Sequence, residues 1–169
     1  MSQSNLKIYQ PTYPAPTAAF TSRDMDQVNY AIVHHAVTSL KTSPEEIDQM
    51  HRARGFIYIG YHLLVNTYGE VFAGRPLSAV PAAAQGYNAD SVDICLIGNF
   101  QSDEPGYNGP PTHAQYQALI DALVYVHQQV PSIDKTVGHG DLMADACPGD
   151  IVKARLPSLK EQVYDILKG

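Results

Sequence analysis

Residues 61–73 read YHLLVNTYGEVFA. Two short runs rich in β-branched and aromatic residues flank a polar stretch ending in Gly69, which predicts a hairpin with strands at 61–66 and 70–73 and a turn at Thr67–Gly69. Outward from it, YAIVHH (30–35) and VDICLIGNF (92–100) are continuous apolar runs of the kind that form buried strands, and a further short strand is expected at 134–138. Helices fall between them. Ser43, Pro44 and Glu46 supply an N-cap, a first-turn proline and a capping box for a helix ending near Gly55. Thr112 with Gln115 opens a second helix, whose apolar positions Tyr116, Leu119, Ile120, Leu123, Val126 and Val130 keep the 3.6-residue period up to Pro131. A last helix is expected to start at Ser158, with a capping box to Glu161. Strands and helices interleave, and the hairpin makes the sheet mixed rather than wholly parallel. The expected fold is a single α/β domain with a central mixed β-sheet flanked by helices.

Composition agrees with one domain. At 18.5 kDa, 169 residues can bury roughly 69% of the unfolded surface, leaving about 8,200 Å² exposed. Apolar residues make up 44% and charged residues 17%, which excludes a disordered chain. The net charge of −6 and the absence of any Lys/Arg run argue against nucleic-acid or anionic-membrane partners. No apolar stretch approaches the ~18 residues that span a bilayer. The opening MSQSNLKIYQPTYPAP lacks the charged and apolar regions of a secretory signal, so synthesis in the cytoplasm without a signal peptide is expected. Residues 1–22 read as an extended arm on the surface, leaving 23–169 as the domain proper. Cys95, inside an apolar run, is expected to be a buried free thiol rather than half of a disulfide with Cys147.

Seven histidines are the anomaly in this composition. His34 and His35 end a buried strand. His139 is followed by Cys147 across a short Gly-containing loop, a reasonable spacing for two ligands on one metal ion. His34, His139 and Cys147 together would give zinc two nitrogens and one thiolate, leave a fourth position for water, and set the charge of the site at +1. The competing explanation is a buried thiol beside ordinary histidines. Tyr61, next to His62, gains interest only beside such a set, where a phenol could orient water or stabilise an oxyanion.

Taken in order, YAIVHHAVTSL (30–40), IGYHLLVNTYGEVFAGRP (59–76), GYNADSVDICLIGNF (86–100) and VGHGDLMADACPGD (137–150) resemble the four blocks of the zinc amidase family. That family includes phage lysozyme-type N-acetylmuramoyl-L-alanine amidases and peptidoglycan recognition proteins. The resemblance implies one Zn²⁺ per chain on His34, His139 and Cys147, with Tyr61 as the catalytic tyrosine. It also implies that His35, Tyr87 and Asn88 contact substrate, and that Asp141 supports the ligand shell from behind; Asp141 could equally be a turn-forming residue, and Tyr87 and Asn88 ordinary loop chemistry. The implied reaction is hydrolysis of the amide joining N-acetylmuramic acid to L-alanine, with peptidoglycan or a muropeptide as substrate, by an endolysin-like monomer acting on the wall after release or on wall fragments in the cytoplasm. The alternative is a peptidoglycan-binding module that does not cut. Four features depart from the family pattern: Asp145 stands where Lys or Thr is common, Gly140 turns the usual GHRD into GHGD, no histidine stands near Ala82 or Ala83 ahead of the GYN block, and the Trp common ahead of IGYH is absent, with Phe56 the nearest aromatic.

Overall fold

Alternation along two strands decides which face of the sheet carries chemistry. The first is β2 (Tyr30–His35), where Ala31 and Val33 point one way and Ile32 and His34 the other. In β5 (Ser91–Leu96), Val92, Ile94 and Leu96 join Ala31 and Val33 in the main core, whereas Cys95 packs on the opposite face. These are features of a computed structural model that describes residues 5–169.

The sheet has six strands in the order β1-β4-β3-β5-β2-β6, with β1 at Ile8–Tyr9, β3 at Leu63–Val65, β4 at Val71–Ala73 and β6 at Lys135–Gly138. β2 lies parallel between β5 and β6, and β3 is parallel to β5, so these four strands run the same way. The predicted hairpin supplies the antiparallel β3–β4 pair. The mixed sheet flanked by helices is therefore as expected. Its strands are shorter than their apolar runs: β3 leaves Tyr61 outside, and β5 stops at Leu96 rather than Phe100.

Helices α2 (His113–Gln129) and α3 (Asp150–Lys168) cover the main core, while Ile47 of α1 (Pro44–Ala53) joins Cys95, Leu64 and Ile59 on the other face. The α1 capping box forms as predicted, with Glu46 N–H donating to Ser43 Oγ (3.2 Å) and Ser43 N–H to Glu46 Oε2 (2.7 Å). At α2 only half of the predicted box exists. Thr112 caps Gln115, but the Gln115 side chain is buried and donates to the carbonyls of Val65 and Ile97, tying α2 to the ends of β3 and β5.

The last helix does not start at Ser158; α3 begins eight residues earlier and runs through Pro157. Val152, Leu156, Leu159 and Val163 bury one stripe of it, and that burial outweighs the ~3 kcal/mol an internal proline costs. Ser158 Oγ donates back to Arg155 O instead of capping.

Residues 1–4 of the arm lie outside the described residues. Beyond them, Ile8–Tyr9 extend the sheet on β4, Tyr13 OH donates to Ala73 O (2.7 Å), and Arg52 holds the carbonyls of Pro14 and Ala15. The accessible surface is 8252 Å², close to the value expected of one domain of this mass. Among the described residues, no helix is long and apolar enough to cross a membrane.

Candidate metal centre

Parallel pairing brings the ends of β2 and β6 side by side, with His34 on one and His139 directly after the other. The loop from β6 to α3 then returns Cys147 to the same place. One ligand atom from each of the three lies within 4.8 Å of the others. Cys147 Sγ stands 3.6 Å from His34 Nδ1, and the His34 and His139 rings are 4.8 Å apart. Sulfur and nitrogen at ~2.3 and ~2.0–2.1 Å on a tetrahedral ion would be about 3.6 Å apart, so this pair fits zinc without rearrangement.

Each of the three is held from behind. His34 Nε2 lies 2.6 Å from Asp93 Oδ1, both fully buried. Burial alone would lower the His34 pKa, but its bonds to Asp93 and Cys147 and their charges raise it to about 9. For Asp93, the hydrogen bond to His34 and its charge outweigh burial and hold the carboxyl below its usual range. His139 Nε2 sits 3.1 Å from Met143 Sδ. Cys147 accepts from the His35 backbone N–H (3.4 Å), its own N–H donates to Asp145 Oδ1 (2.8 Å), and its carbonyl accepts from Gly140 N–H (2.7 Å). Burial would raise the thiol pKa, yet hydrogen bonds from His139 and His34 bring it down, favouring the thiolate that binds metal.

Tyr61 joins this cluster. Its ring lies 5.2 Å from that of His34 and 5.3 Å from that of His51, and its hydroxyl faces the Cys95 thiol. Burial, chiefly, pushes the phenol pKa well above its ordinary value, so Tyr61 is a hydrogen-bond donor and not a base. Cys95 and Cys147 are both free thiols.

The remaining sequence candidates make contacts within the fold. His35 is only 5% exposed and its Nδ1 accepts from Phe100 N–H, so it is turned inward rather than toward a substrate. Asp141 does not touch a ligand imidazole through its bonded oxygen: Oδ2 accepts from Gly138 N–H (2.8 Å) and closes the turn that carries His139. Asn88 Oδ1 accepts from Ala83 and Ala84 N–H, an Asx-type loop closure. Tyr87 packs edge-on against Tyr30, four residues before His34 and about 13 Å away along β2. Asp93 lies inside the third block but was not among the sequence candidates, although its signal was legible: a single carboxylate inside an apolar strand must find a partner when buried.

The model of the N-acetylmuramoyl-L-alanine amidase family matches residues 24–150. The chain belongs to that family. Among its relatives, the endolysin of Klebsiella phage KP32 is 34% identical over 132 residues, 76% of this chain and 84% of its own. A peptidoglycan-recognition protein of Drosophila melanogaster is 30% identical over 143 residues, 80% and 76% of the two chains. The solved N-acetylmuramoyl-L-alanine amidase LysC from Clostridium intestinale URNW superposes with a TM-score of 0.73 at 27% identity, covering 91% of this chain and 98% of that one. The amidase resemblance read from the four sequence blocks is borne out, and the protein is an enzyme of the N-acetylmuramoyl-L-alanine amidase class, whose substrate is peptidoglycan.

Buried imidazoles decide how this amidase responds to acid. Burial lowers His35, His51 and His62 to about 4, against 6.5 for a free imidazole. Depressed values mean that their stabilisation is complete above pH 6.5 and is lost as pH falls through 4. In the metal-free protein His34 is shifted upward, so its contribution is already complete below pH 6.5 and adds no slope there. Chelator-treated protein should therefore melt at progressively lower temperature from pH 6.5 to 4, with His62 alone contributing up to about 1.4 kcal/mol per pH unit. A flat Tm across that window would mean these imidazoles are not held neutral.

Proposed function

We propose that the chain hydrolyses the amide between the lactyl group of N-acetylmuramic acid and L-alanine of the stem peptide, with one zinc ion held by His34, His139 and Cys147. The observation that carries this is the convergence of those three donors at zinc-ligand spacing, backed by the Asp93 carboxylate. Two neutral imidazoles and one thiolate suit zinc better than the oxygen-seeking cations. When bound, zinc supplies Lewis acidity for the scissile carbonyl and for water.

The protein's own groups do the rest. Asp93 holds the His34 ring, and Asp145 and Gly140 hold the backbone of Cys147. Tyr61, protonated throughout the working pH range, turns its hydroxyl from Cys95 to donate to the attacking water or to the developing oxyanion. The endolysin relatives favour action on the cell wall after release.

Mass spectrometry of the soluble products from purified peptidoglycan tests this, with zinc-loaded and chelator-stripped protein side by side. The expected products are free stem peptides beginning with L-alanine, released only by the loaded protein. One zinc per chain with intact peptidoglycan would instead leave a recognition module that binds without cutting.

A further inference from the structure

We infer that Asp93 is the positioning residue of the metal centre, locking His34 as an Nδ1 donor and balancing the charge of the loaded site. This rests on the zinc reading above and adds a fourth side chain to it.

The β2–β5 register places Ile32 opposite Asp93 and His34 opposite Cys95, so the carboxylate reaches His34 diagonally across one face of the sheet. Asp93 is 0% exposed, and both its oxygens are engaged: Oδ1 with His34 Nε2 at 2.6 Å, Oδ2 with the Ser91 hydroxyl at 2.6 Å. Its backbone N–H donates to His62 Nδ1 (3.0 Å), leaving the His62 Nε2 proton for Ala79 O (2.9 Å). A buried carboxylate fixed at both oxygens accepts the Nε2–H of His34 and does not donate. The free lone pair of the ring is then on Nδ1, the atom that faces Cys147 Sγ at 3.6 Å.

Charge points the same way. Zinc at +2 with one thiolate leaves +1 in a site whose His34 and Cys147 are almost fully buried. The adjacent anion of Asp93 offsets that charge, which lowers the cost of holding it away from water, while the Arg23 guanidinium attracts the carboxylate in turn.

Asp93→Asn keeps the shape and removes the charge. Zinc affinity, measured by competition with a chelating dye, should fall about 10- to 100-fold. Long-range ¹H–¹⁵N correlation of the zinc-loaded wild type should show His34 protonated at Nε2 with a strongly downfield proton, and the variant should move that proton upfield. A residue with only a structural role would lower Tm without moving this signal. If Asp93→Asn does not fold, Ser91→Ala carries the test: it leaves the carboxylate but removes one of its bonds, so affinity should fall about 2- to 10-fold with a smaller upfield shift. Unchanged affinity and an unchanged His34 signal in the folded variant would overturn the assignment to Asp93 alone. Wild-type protein that takes up no zinc would remove the zinc reading, and this one with it.

Discussion

Cys147→Ser should cut kcat/KM on peptidoglycan by at least about 10³-fold, roughly 4 kcal/mol of transition-state stabilisation, while the fold survives. The thiolate is the only anion among the three donors, and its pKa is lowered by His139 and His34, which face it. A serine hydroxyl in that place stays protonated, is a harder ligand on a shorter bond, and leaves a doubly charged ion in a site where Cys147 is 8% exposed. The fold has little reason to fail. The N–H of residue 147 still has Asp145 Oδ1, its carbonyl still has Gly140 N–H, and the new hydroxyl can accept from His35 N–H in place of sulfur. Circular dichroism and melting of the metal-free proteins should therefore match closely. Metal analysis should show zinc falling well below one per chain. A variant with full zinc and full turnover would remove Cys147 from the ligand set.

The parts of the molecule that were legible in the sequence are those fixed by local chemistry. Ser43 and Glu46 satisfy each other three residues apart, and no tertiary contact is needed to foresee it. The hairpin at 61–73 was legible for the same reason. The start of α3 was not, because Pro157 is a strong local stop that loses only to burial of Val152, Leu156 and Leu159 against the rest of the domain. Gln115 shows the same limit: its backbone role is local and was foreseen, but its side chain answers carbonyls 50 and 18 residues away.

The site divides along the same line. The proposed metal donors stand in blocks whose order and spacing single them out, whereas Asp93 is linked to His34 only through the pairing of β2 with β5. Tyr87 and Asn88 were placed at a substrate groove from their block, yet Asn88 is engaged in closing its own loop. A polar residue's hydrogen bonds can be spoken for locally, and sequence alone does not say when.

Restoring the family's arginine at position 140 should damage this protein rather than improve it. A Cβ built on Gly140 would lie 2.3 Å from the carbonyl oxygen of Asp145 and 2.9 Å from that of Cys147. Both are backbone atoms, so no side-chain rotation relieves the contact. Either the turn carrying His139 or the loop carrying Cys147 must move, and those two are proposed zinc donors that must stay together. Asp145 belongs to the same arrangement, since its carboxylate accepts from Cys147 N–H at 2.8 Å while its carbonyl lies over Gly140. The departures at 140 and 145 are thus one local solution: a carboxylate that caps Cys147, and a glycine that lets that loop close. Gly140→Ala already introduces the clash, so it should lose at least about 10-fold in zinc affinity and about 10²-fold in kcat/KM, the scale expected when reacting groups are displaced by ~1 Å. Gly140→Arg should fall as far or further. If the missing charge mattered instead, alanine would leave activity unchanged and arginine would raise it. Chelator competition and steady-state kinetics on both variants separate these outcomes, and wild-type affinity with wild-type turnover in Gly140→Ala would show that the loop is free to open.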